Sequence, residues 1–329
     1  MAISPILLLT REVEYEDDHY KYPPSTALAI LTTAIFALLT GLHGYQLLRT
    51  KTWYFIAFWV GGVMEVIGYI FRILGCEDYP NSTQMPYILS QVTILIAPSL
   101  FAASMYMELG RIIRLTGGEK YSIVRVNWLT KVFVLGDVAA FLLQAGGGGM
   151  LASDNKDTSD IGRIILIIGL VVQILFFGLF VIASVSFHLR IHRQPTEKIR
   201  TYTIPWKKHL VNVYVASNLV LARCIFRLIE YIQGRDGYLM TTEWPMYVFD
   251  TLLMALVMAA FNIIHPSEVN ALLNGSGKAI RWIIFTRTIG LPNIRTDEEE
   301  MKSVDNEPLH LEPAREPGTL QVPADRRQW

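Results

Sequence analysis

Two side chains of opposite charge interrupt an apolar stretch of the sequence, residues 53–75. The stretch is long enough to span a bilayer as a helix. Glu65 and Arg72 are two turns apart, so they share one helix face, and Gly61 and Gly68 fall within about 40° of them. A charge at the bilayer centre costs at least ~2.5–3.5 kcal/mol, so it faces protein or trapped water. The sequence therefore predicts that this face points into a helix bundle.

Other apolar stretches carry polar side chains that match this face. Asp137 and Gln144 are seven residues apart, and Arg223 and Arg227 are four apart, so each pair lies on one side of its helix. A near balance of acids and bases is what a buried network requires, because unpaired ions are costly in a low dielectric. The candidate residues, all expected inside the bundle, are Glu65, Arg72, Asp137, Gln144, Gln173, Arg223, Arg227, Glu230 and Asp250.

Two interpretations of these residues stay open. Ionisable residues inside a membrane are functional candidates by default, which favours a polar cavity that accepts a charged headgroup. The alternative is a purely structural network that holds the helices in register. The partners are also open. The pairings considered are Arg223 or Arg227 with Glu230, Glu65 or Asp250, and Arg72 with Asp137 or Asp250.

Seven apolar segments are available to position these residues. The chain is 52% hydrophobic, and its apolar residues come in blocks of membrane-spanning length. Backbone groups in hydrocarbon must pair within their own segment, so helices follow. The sequence thus predicts an all-α, polytopic membrane protein with a bundle of seven transmembrane helices. The segments are residues 27–48, 53–75, 87–109, 126–150, 161–188, 209–231 and 245–265.

The orientation follows from lysine and arginine in the connections. The second, fourth and sixth connections hold only Lys156 and Arg235, with Arg163 at a helix edge, whereas the other connections and the C-terminal part are rich in both residue types. The positive-inside rule predicts an N-terminus outside and a C-terminus in the cytosol. The expected organisation is an extracellular segment 1–26, a seven-helix domain 27–265, a juxtamembrane cytosolic segment 266–291 and a disordered cytosolic tail 292–329.

Two shorter features refine this organisation. Asn81 opens an Asn-Ser-Thr triplet in the second connection and is a glycosylation candidate on the outer side. Residues 279–288 mix aromatic, aliphatic and basic side chains, which is typical of a segment that lies on the inner leaflet.

The sequence argues against several classes of function. The formal net charge of zero argues against nucleic-acid binding, and two cysteines, Cys76 and Cys224, indicate no disulfide framework, although they could bond to each other. Nucleotide-binding loops and nucleophile elbows are not found. His188 and His192 have the spacing of a metal pair, but a solvated basic face is favoured. We predict no metal and no cofactor.

Several short motifs follow one another between residues 22 and 266. They are Tyr22-Pro-Pro-Ser25, Gly62-x-x-Glu65-x-x-Gly68-Tyr69-x-x-Arg72, Asp137 with Gln144-x-Gly146-Gly147-Gly148, Gly169-x-x-x-Gln173, Arg223-x-Ile225-Phe226-Arg227-x-x-Glu230-Tyr231, Tyr247-x-Phe249-Asp250 and His265-Pro266. In this order they resemble the fungal RTA-like family of lipid-translocating exporters. The resemblance implies a seven-helix protein of the plasma membrane, or else of an internal membrane. It also implies a link to the export of sphingoid long-chain bases and to tolerance of toxic lipids or drugs.

We therefore expect a membrane lipid transporter, and not an enzyme, whose partners are membrane lipids such as cationic sphingoid bases. The amine of such a base would pair with Glu65, Asp137, Glu230 or Asp250, and the arginines would keep these acids ionised or meet a phosphate. One alternative is a seven-helix receptor-like sensor of lipid or stress. A second is an intramembrane lipid-amide hydrolase, for which His43 and His265 would have to meet a third histidine and bind zinc.

Overall fold

The computed structural model of the chain describes residues 22–77, 84–151, 153, 155–202, 204–234, 237–280 and 283–290. Within these ranges, seven helices are long and apolar enough to cross a membrane. This confirms the predicted all-α seven-helix fold. The spans are Thr26–Thr50 (span 1), Ile56–Glu77 (span 2), Gln84–Leu115 (span 3), Val126–Leu151 (span 4), Lys156–Arg193 (span 5), Trp206–Gln233 (span 6) and Trp244–Ile263 (span 7).

The spans pack in chain order, and span 7 returns to contact span 1. Span 3 also contacts span 6 across the bundle, so it touches most of the other spans. Large apolar side chains such as Leu38 and Leu135 cover the outer face, where they are 73% and 70% exposed. The end of the bundle at which span 1 begins is called the Ser25 end, and the end at which span 7 finishes is called the His265 end.

Local sequence signals begin and end the helices. The Ser25 hydroxyl accepts the Leu28 N–H and so caps span 1, which ends at Lys51 in the left-handed conformation. Asn155 caps span 5 in the same way. The connections contain 3-10 turns at Trp53–Phe55 and Glu119–Tyr121, and short helices at Glu197–Thr201 and Tyr238–Thr241.

Span 7 is not a uniform α-helix. Its first turn, Trp244–Met246, is followed by a π-helical segment, Tyr247–Thr251, and then by regular helix over Leu252–Ile263. Such π-helical segments are rare in proteins, and those that occur are often found at functional sites. This one carries Asp250, so the irregular turn decides where that carboxylate points.

A helix and a two-stranded hairpin follow span 7. The helix, Ser267–Leu273, packs on span 3, and β1 (Ser276–Ile280) pairs antiparallel with β2 (Thr286–Gly290), with Ser276 opposite Gly290. These strands were not predicted from the sequence, and they overlap the two ends of the segment 279–288 that was predicted to lie on the inner leaflet. The pairing satisfies backbone groups that an extended segment would leave open.

The turn of the hairpin is tied to the bundle. Gln46 of span 1 donates a hydrogen bond of 2.8 Å to the carbonyl of Ile283. Ile284 and Phe285 beside it are 57% and 73% exposed. The predicted tail 292–329 and the glycosylation candidate Asn81 lie outside the described residues, so both stay predictions, as do the orientation and the other segment boundaries.

Candidate functional site

A two-arginine cluster joins spans 6 and 7. Arg223 Nε and Arg227 Nη2 each donate to a different oxygen of Asp250, and Arg227 Nη1 donates to Glu230 Oε2 at 2.9 Å. Arg223 also donates to the Ile94 carbonyl of span 3 at 3.0 Å. All four charged side chains are buried. Two arginines and two carboxylates balance in charge, which is the condition under which buried ions are tolerated.

The backbone of both spans makes this geometry. Arg223, Arg227 and Glu230 are four and three residues apart, so they lie along one face of span 6. The π-helical segment of span 7 presents both oxygens of Asp250 to that face. The pairing of these two arginines with Asp250 and Glu230 is among the alternatives that the sequence left open.

Glu65 lies beside this cluster but is not bonded to it. Its side chain is buried, and its Oε1 has no hydrogen-bond partner among the described residues. The charges of Asp250, Arg223 and Arg227 all act on it. Since those arginines are already bonded to carboxylates, Glu65 adds a further acid to a cluster that is balanced without it.

Asp137 is the second buried acid with a carboxyl oxygen that lacks a hydrogen-bond partner in the described part of the chain. Its Oδ2 accepts a hydrogen bond of 2.7 Å from the Tyr106 hydroxyl of span 3, and its Oδ1 has no partner among the residues that the structure describes. The Tyr106 ring packs against Phe133 and Phe180, with centroid distances of 5.4 and 4.5 Å, which fixes the position of its hydroxyl. Only one of the two carboxyl oxygens of Asp137 is therefore hydrogen-bonded within the described residues.

Gln144 and Gln173 form a separate neutral pair. The Gln144 amide donates to Gln173 Oε1 at 2.9 Å, and Gln173 reaches Ser99 of span 3 at 3.4 Å. These contacts join spans 3, 4 and 5. Both glutamines are buried, so the pair satisfies polar groups in the bundle interior.

Arg72 pairs differently from either prediction. Its Nη2 lies 3.1 Å from Glu243 Oε1 and 3.0 Å from the Tyr22 hydroxyl, and its guanidinium lies over the Tyr247 ring. Pairing with Asp137 or Asp250 was therefore wrong, because Asp137 is held by a tyrosine and Asp250 by two other arginines. Both oxygens of Glu243 also accept the Ser25 N–H, at 3.0 Å each.

The nine predicted residues thus fall into several groups. Four of them form the two-arginine cluster and Glu65 lies beside it, whereas Arg72 lies toward the Ser25 end, Asp137 pairs with Tyr106, and the glutamines pair with each other. All nine are buried, as the helix faces predicted. Glu243 and Tyr106 were not among the predicted site residues. Glu243 precedes an apolar stretch and reads as a surface acid, and only its buried arginine partner shows its role.

A second polar cluster at the His265 end was also missed. Glu108 accepts a hydrogen bond of 2.6 Å from Tyr54, and His209 Nε2 lies 3.1 Å from Glu268 Oε2. His209 Nδ1 is 3.8 Å from Glu108 Oε1, so it lies between the two acids. Glu268 also pairs with Lys208 and Arg287. Burial works to raise the pKa of Glu268, but its contacts with His209 and Lys208 outweigh burial and lower that pKa to about 2.

His43 and His265 do meet, with ring centroids 5.3 Å apart. His265 Nδ1 accepts the Ser267 N–H, so its neutral form carries the proton on Nε2, and His43 Nδ1 contacts Asn262 Oδ1, so that nitrogen donates. Burial, with the nearby His43 and His209, lowers the pKa of His265 well below its usual value. In the described part of the chain, no three His, Cys, Asp or Glu residues are arranged to hold a metal ion.

The two cysteines and the pair His188 and His192 are separate from the clusters described above. Cys76 and Cys224 are both buried and free, so the bond considered between them is not formed. His188 stacks on Tyr214, with centroids 5.7 Å apart, and lies beside His192. A solvated basic face was favoured for these histidines; His192 is exposed, whereas His188 is half-buried against Tyr214.

Comparisons with known proteins identify the family. The family described as RTA1 like protein matches residues 58–271, which is most of the bundle. Protein RTA1 of Saccharomyces cerevisiae is 38% identical over 213 residues, 64% of this chain and 65% of that protein. Protoporphyrin uptake protein 1 of the same yeast is 32% identical over 279 residues, 74% of this chain and 90% of that protein.

A third yeast relative, the sphingoid long-chain base transporter RSB1, is 26% identical over 277 residues, 74% of this chain and 72% of that protein. No solved structure matches the chain. The family match covers both spans that carry the two-arginine cluster, and most of the motifs noted in the sequence lie within residues 58–271. The chain is therefore an integral membrane protein that belongs to the RTA1-like family.

Proposed function

We propose that the protein moves a cationic amphiphile, of the sphingoid long-chain base class, across the plasma membrane. One relative is named a transporter of such bases, which supports a membrane lipid transport role. The observation that carries the proposal is that two buried carboxyl groups each keep an oxygen without a hydrogen-bond partner among the described residues, and neither forms an ion pair there. These are Glu65 and Asp137.

The ion pairs decide which acids are available to a substrate. Asp250 and Glu230 are occupied by Arg223 and Arg227, so they are poor partners for an incoming amine. A carboxylate in a low-dielectric interior binds an ammonium group strongly because water does not compete. Glu65 and Asp137 are the acids in that position. The alkyl chain of the base would stay among lipid-facing apolar side chains, which need no specific pocket.

Variants that remove each carboxyl group test the proposal. Glu65→Gln and Asp137→Asn keep the size of the side chain, and Glu197→Gln, whose side chain is exposed, is the matched control. We expect outward release of labelled long-chain base, at equal protein level, to fall about tenfold or more in the first two, because each ~1.4 kcal/mol of lost binding is a factor of ten. Unchanged release in both variants would remove these acids from the substrate site.

A substrate panel in reconstituted vesicles separates the alternatives. The panel holds a long-chain base, its uncharged N-acyl form and protoporphyrin, since one relative is named for uptake of the last. Movement of the base alone supports a cation site. Movement of the anionic tetrapyrrole alone would overturn the proposal. Ligand-dependent capture of a cytosolic partner without any transport would instead favour the receptor-like sensor.

A further inference from the structure

The charges around Glu65 determine whether its carboxyl group carries a proton when no substrate is bound. Arg223 and Arg227 are matched by Asp250 and Glu230, and these four groups are bonded to one another. Glu65 stands next to them with an oxygen that lacks a described partner. If Glu65 were ionised with no substrate bound, the region would hold one uncompensated negative charge. A lone buried carboxylate is so costly that the group takes up a proton instead.

The other groups near Glu65 do not relieve this excess charge. From its own span, Tyr69 is bonded to Thr251, and Arg72 is bonded to Glu243. From span 3, the Ile94 carbonyl accepts from Arg223, which is already bonded to Asp250. Arg223 and Arg227 are already bonded to the carboxylates of Asp250 and Glu230. Glu65 is thus the group of this region whose charge must change when a cation arrives.

We propose that Glu65 exchanges its proton for the ammonium group of the substrate, so that each amine bound releases one proton. This inference rests on the proposed function. Only an O–H bond breaks: the protonated carboxyl and the ammonium give a carboxylate–ammonium ion pair, and the proton leaves to water. Because the same group holds either a proton or an amine, the two would cross the membrane in opposite directions. The coupling ion of transport would therefore be the proton.

Proton release on binding tests the exchange directly. Purified protein in weakly buffered detergent solution at about pH 7 is mixed with sphinganine, with a pH-indicator dye in solution and bound sphinganine counted in parallel. We expect about one proton released per amine bound for the unchanged protein and for Glu197→Gln. N-Acetylsphinganine, which has no cationic amine, should release none. Binding of sphinganine without proton release would overturn the exchange and leave the proposed function standing.

Two variants assign the proton to its residue. Glu65→Asp keeps a carboxyl group and should keep the release, whereas Glu65→Gln should release no proton for whatever amine it binds. Unaltered release from Glu65→Gln would show that another group carries the proton. If Glu65→Gln binds no amine or does not fold, the unchanged protein and Glu65→Asp decide the question by the same proton count. Absence of both binding and transport in the unchanged protein would contradict the proposed function itself.

A pH gradient across vesicles gives an independent measurement. Export of sphinganine should rise several-fold when protons can flow the opposite way, and the rise should vanish in Glu65→Gln. Transport by the unchanged protein that ignores the gradient would count against the proton as coupling ion, while still supporting movement of the amine.

Discussion

Arg72 of span 2 and Glu243 at the start of span 7 form an ion pair of 3.1 Å, in which the arginine is 1% exposed. The same carboxylate receives the Ser25 N–H, so one acid ties the start of span 1 to spans 2 and 7. The pair therefore holds together three elements at the Ser25 end of the bundle.

Removal of one partner of this pair should destabilise the protein strongly. Glu243→Leu removes the Glu243 carboxylate from the buried Arg72 guanidinium, and loss of one partner of a buried ion pair typically costs about 3–5 kcal/mol. The double variant Arg72→Met with Glu243→Leu should be less destabilised than Glu243→Leu alone, because it removes both charges of the pair. Thermal unfolding of the purified protein in detergent measures both. Equal unfolding temperatures for the single and double variants would contradict this view of the pair.

Tyr106→Phe removes the donor that Asp137 has in the structure. The hydrogen bond of 2.7 Å is buried, and loss of the donor leaves an unsatisfied oxygen, at a cost of about 1–3 kcal/mol. We expect a lower unfolding temperature and an altered affinity for long-chain base. Tyr45→Phe is the control, because Tyr45 is 40% exposed. A Tyr106→Phe protein as stable as the control would show that the bond adds nothing to the fold.

Neighbouring glycines of span 4 differ sharply in their surroundings. A Cβ added at Gly147 would lie 2.6 Å from the Gly162 carbonyl oxygen and from the Leu166 nitrogen of span 5, whereas one added at Gly146 or Gly148 meets nothing within 4 Å. Because the obstacles at Gly147 are backbone atoms, Gly147→Ala must move the two spans apart, at about 1–3 kcal/mol.

The adjacent substitutions are the matched controls for Gly147→Ala. Gly146→Ala and Gly148→Ala should be neutral or slightly stabilising, because alanine is the better helix former by about 1 kcal/mol. Unfolding temperatures of the three variants give the comparison. A Gly147→Ala protein that unfolds with the other two would mean that spans 4 and 5 do not meet at this point.

Glu268 should make stability depend on pH in an acidic window. Its contacts lower its pKa to about 2 in the folded protein, below the ordinary 4.5. The stabilisation is therefore complete above about pH 4.5 and is lost as the pH falls from there towards 2, with a maximum of ~3 kcal/mol for such a shift. Glu268→Gln should lower the unfolding temperature at pH 7, and its difference from the unchanged protein should shrink through that window.

The exposed acid Glu197 again supplies a control for this measurement. Glu197→Gln should follow the unchanged protein at every pH, because its side chain is 90% exposed and its pairing with Arg200 is long, at 4.0 Å. A constant difference between Glu268→Gln and the unchanged protein from pH 7 to about pH 2 would exclude Glu268 as the titrating group.

The sequence by itself determined the seven helices and the direction of their polar faces. Spanning-length apolar blocks leave the backbone no alternative in hydrocarbon, and charge is too costly to face lipid, so Glu65 and Asp137 had to be buried. The spacing along span 6 likewise put Arg223, Arg227 and Glu230 on one face.

Only the tertiary structure decided which charges meet. Arg72 and Glu243 are 171 residues apart in the chain, and no periodicity within a helix relates them. The pairing of Asp250 with both Arg223 and Arg227 depends on a π-helical turn, which amino-acid composition does not predict. Which buried acids keep an oxygen without a partner is a property of the whole set of contacts among the described residues. It was therefore the packing of spans 2, 3, 4, 6 and 7 that singled out Glu65 and Asp137.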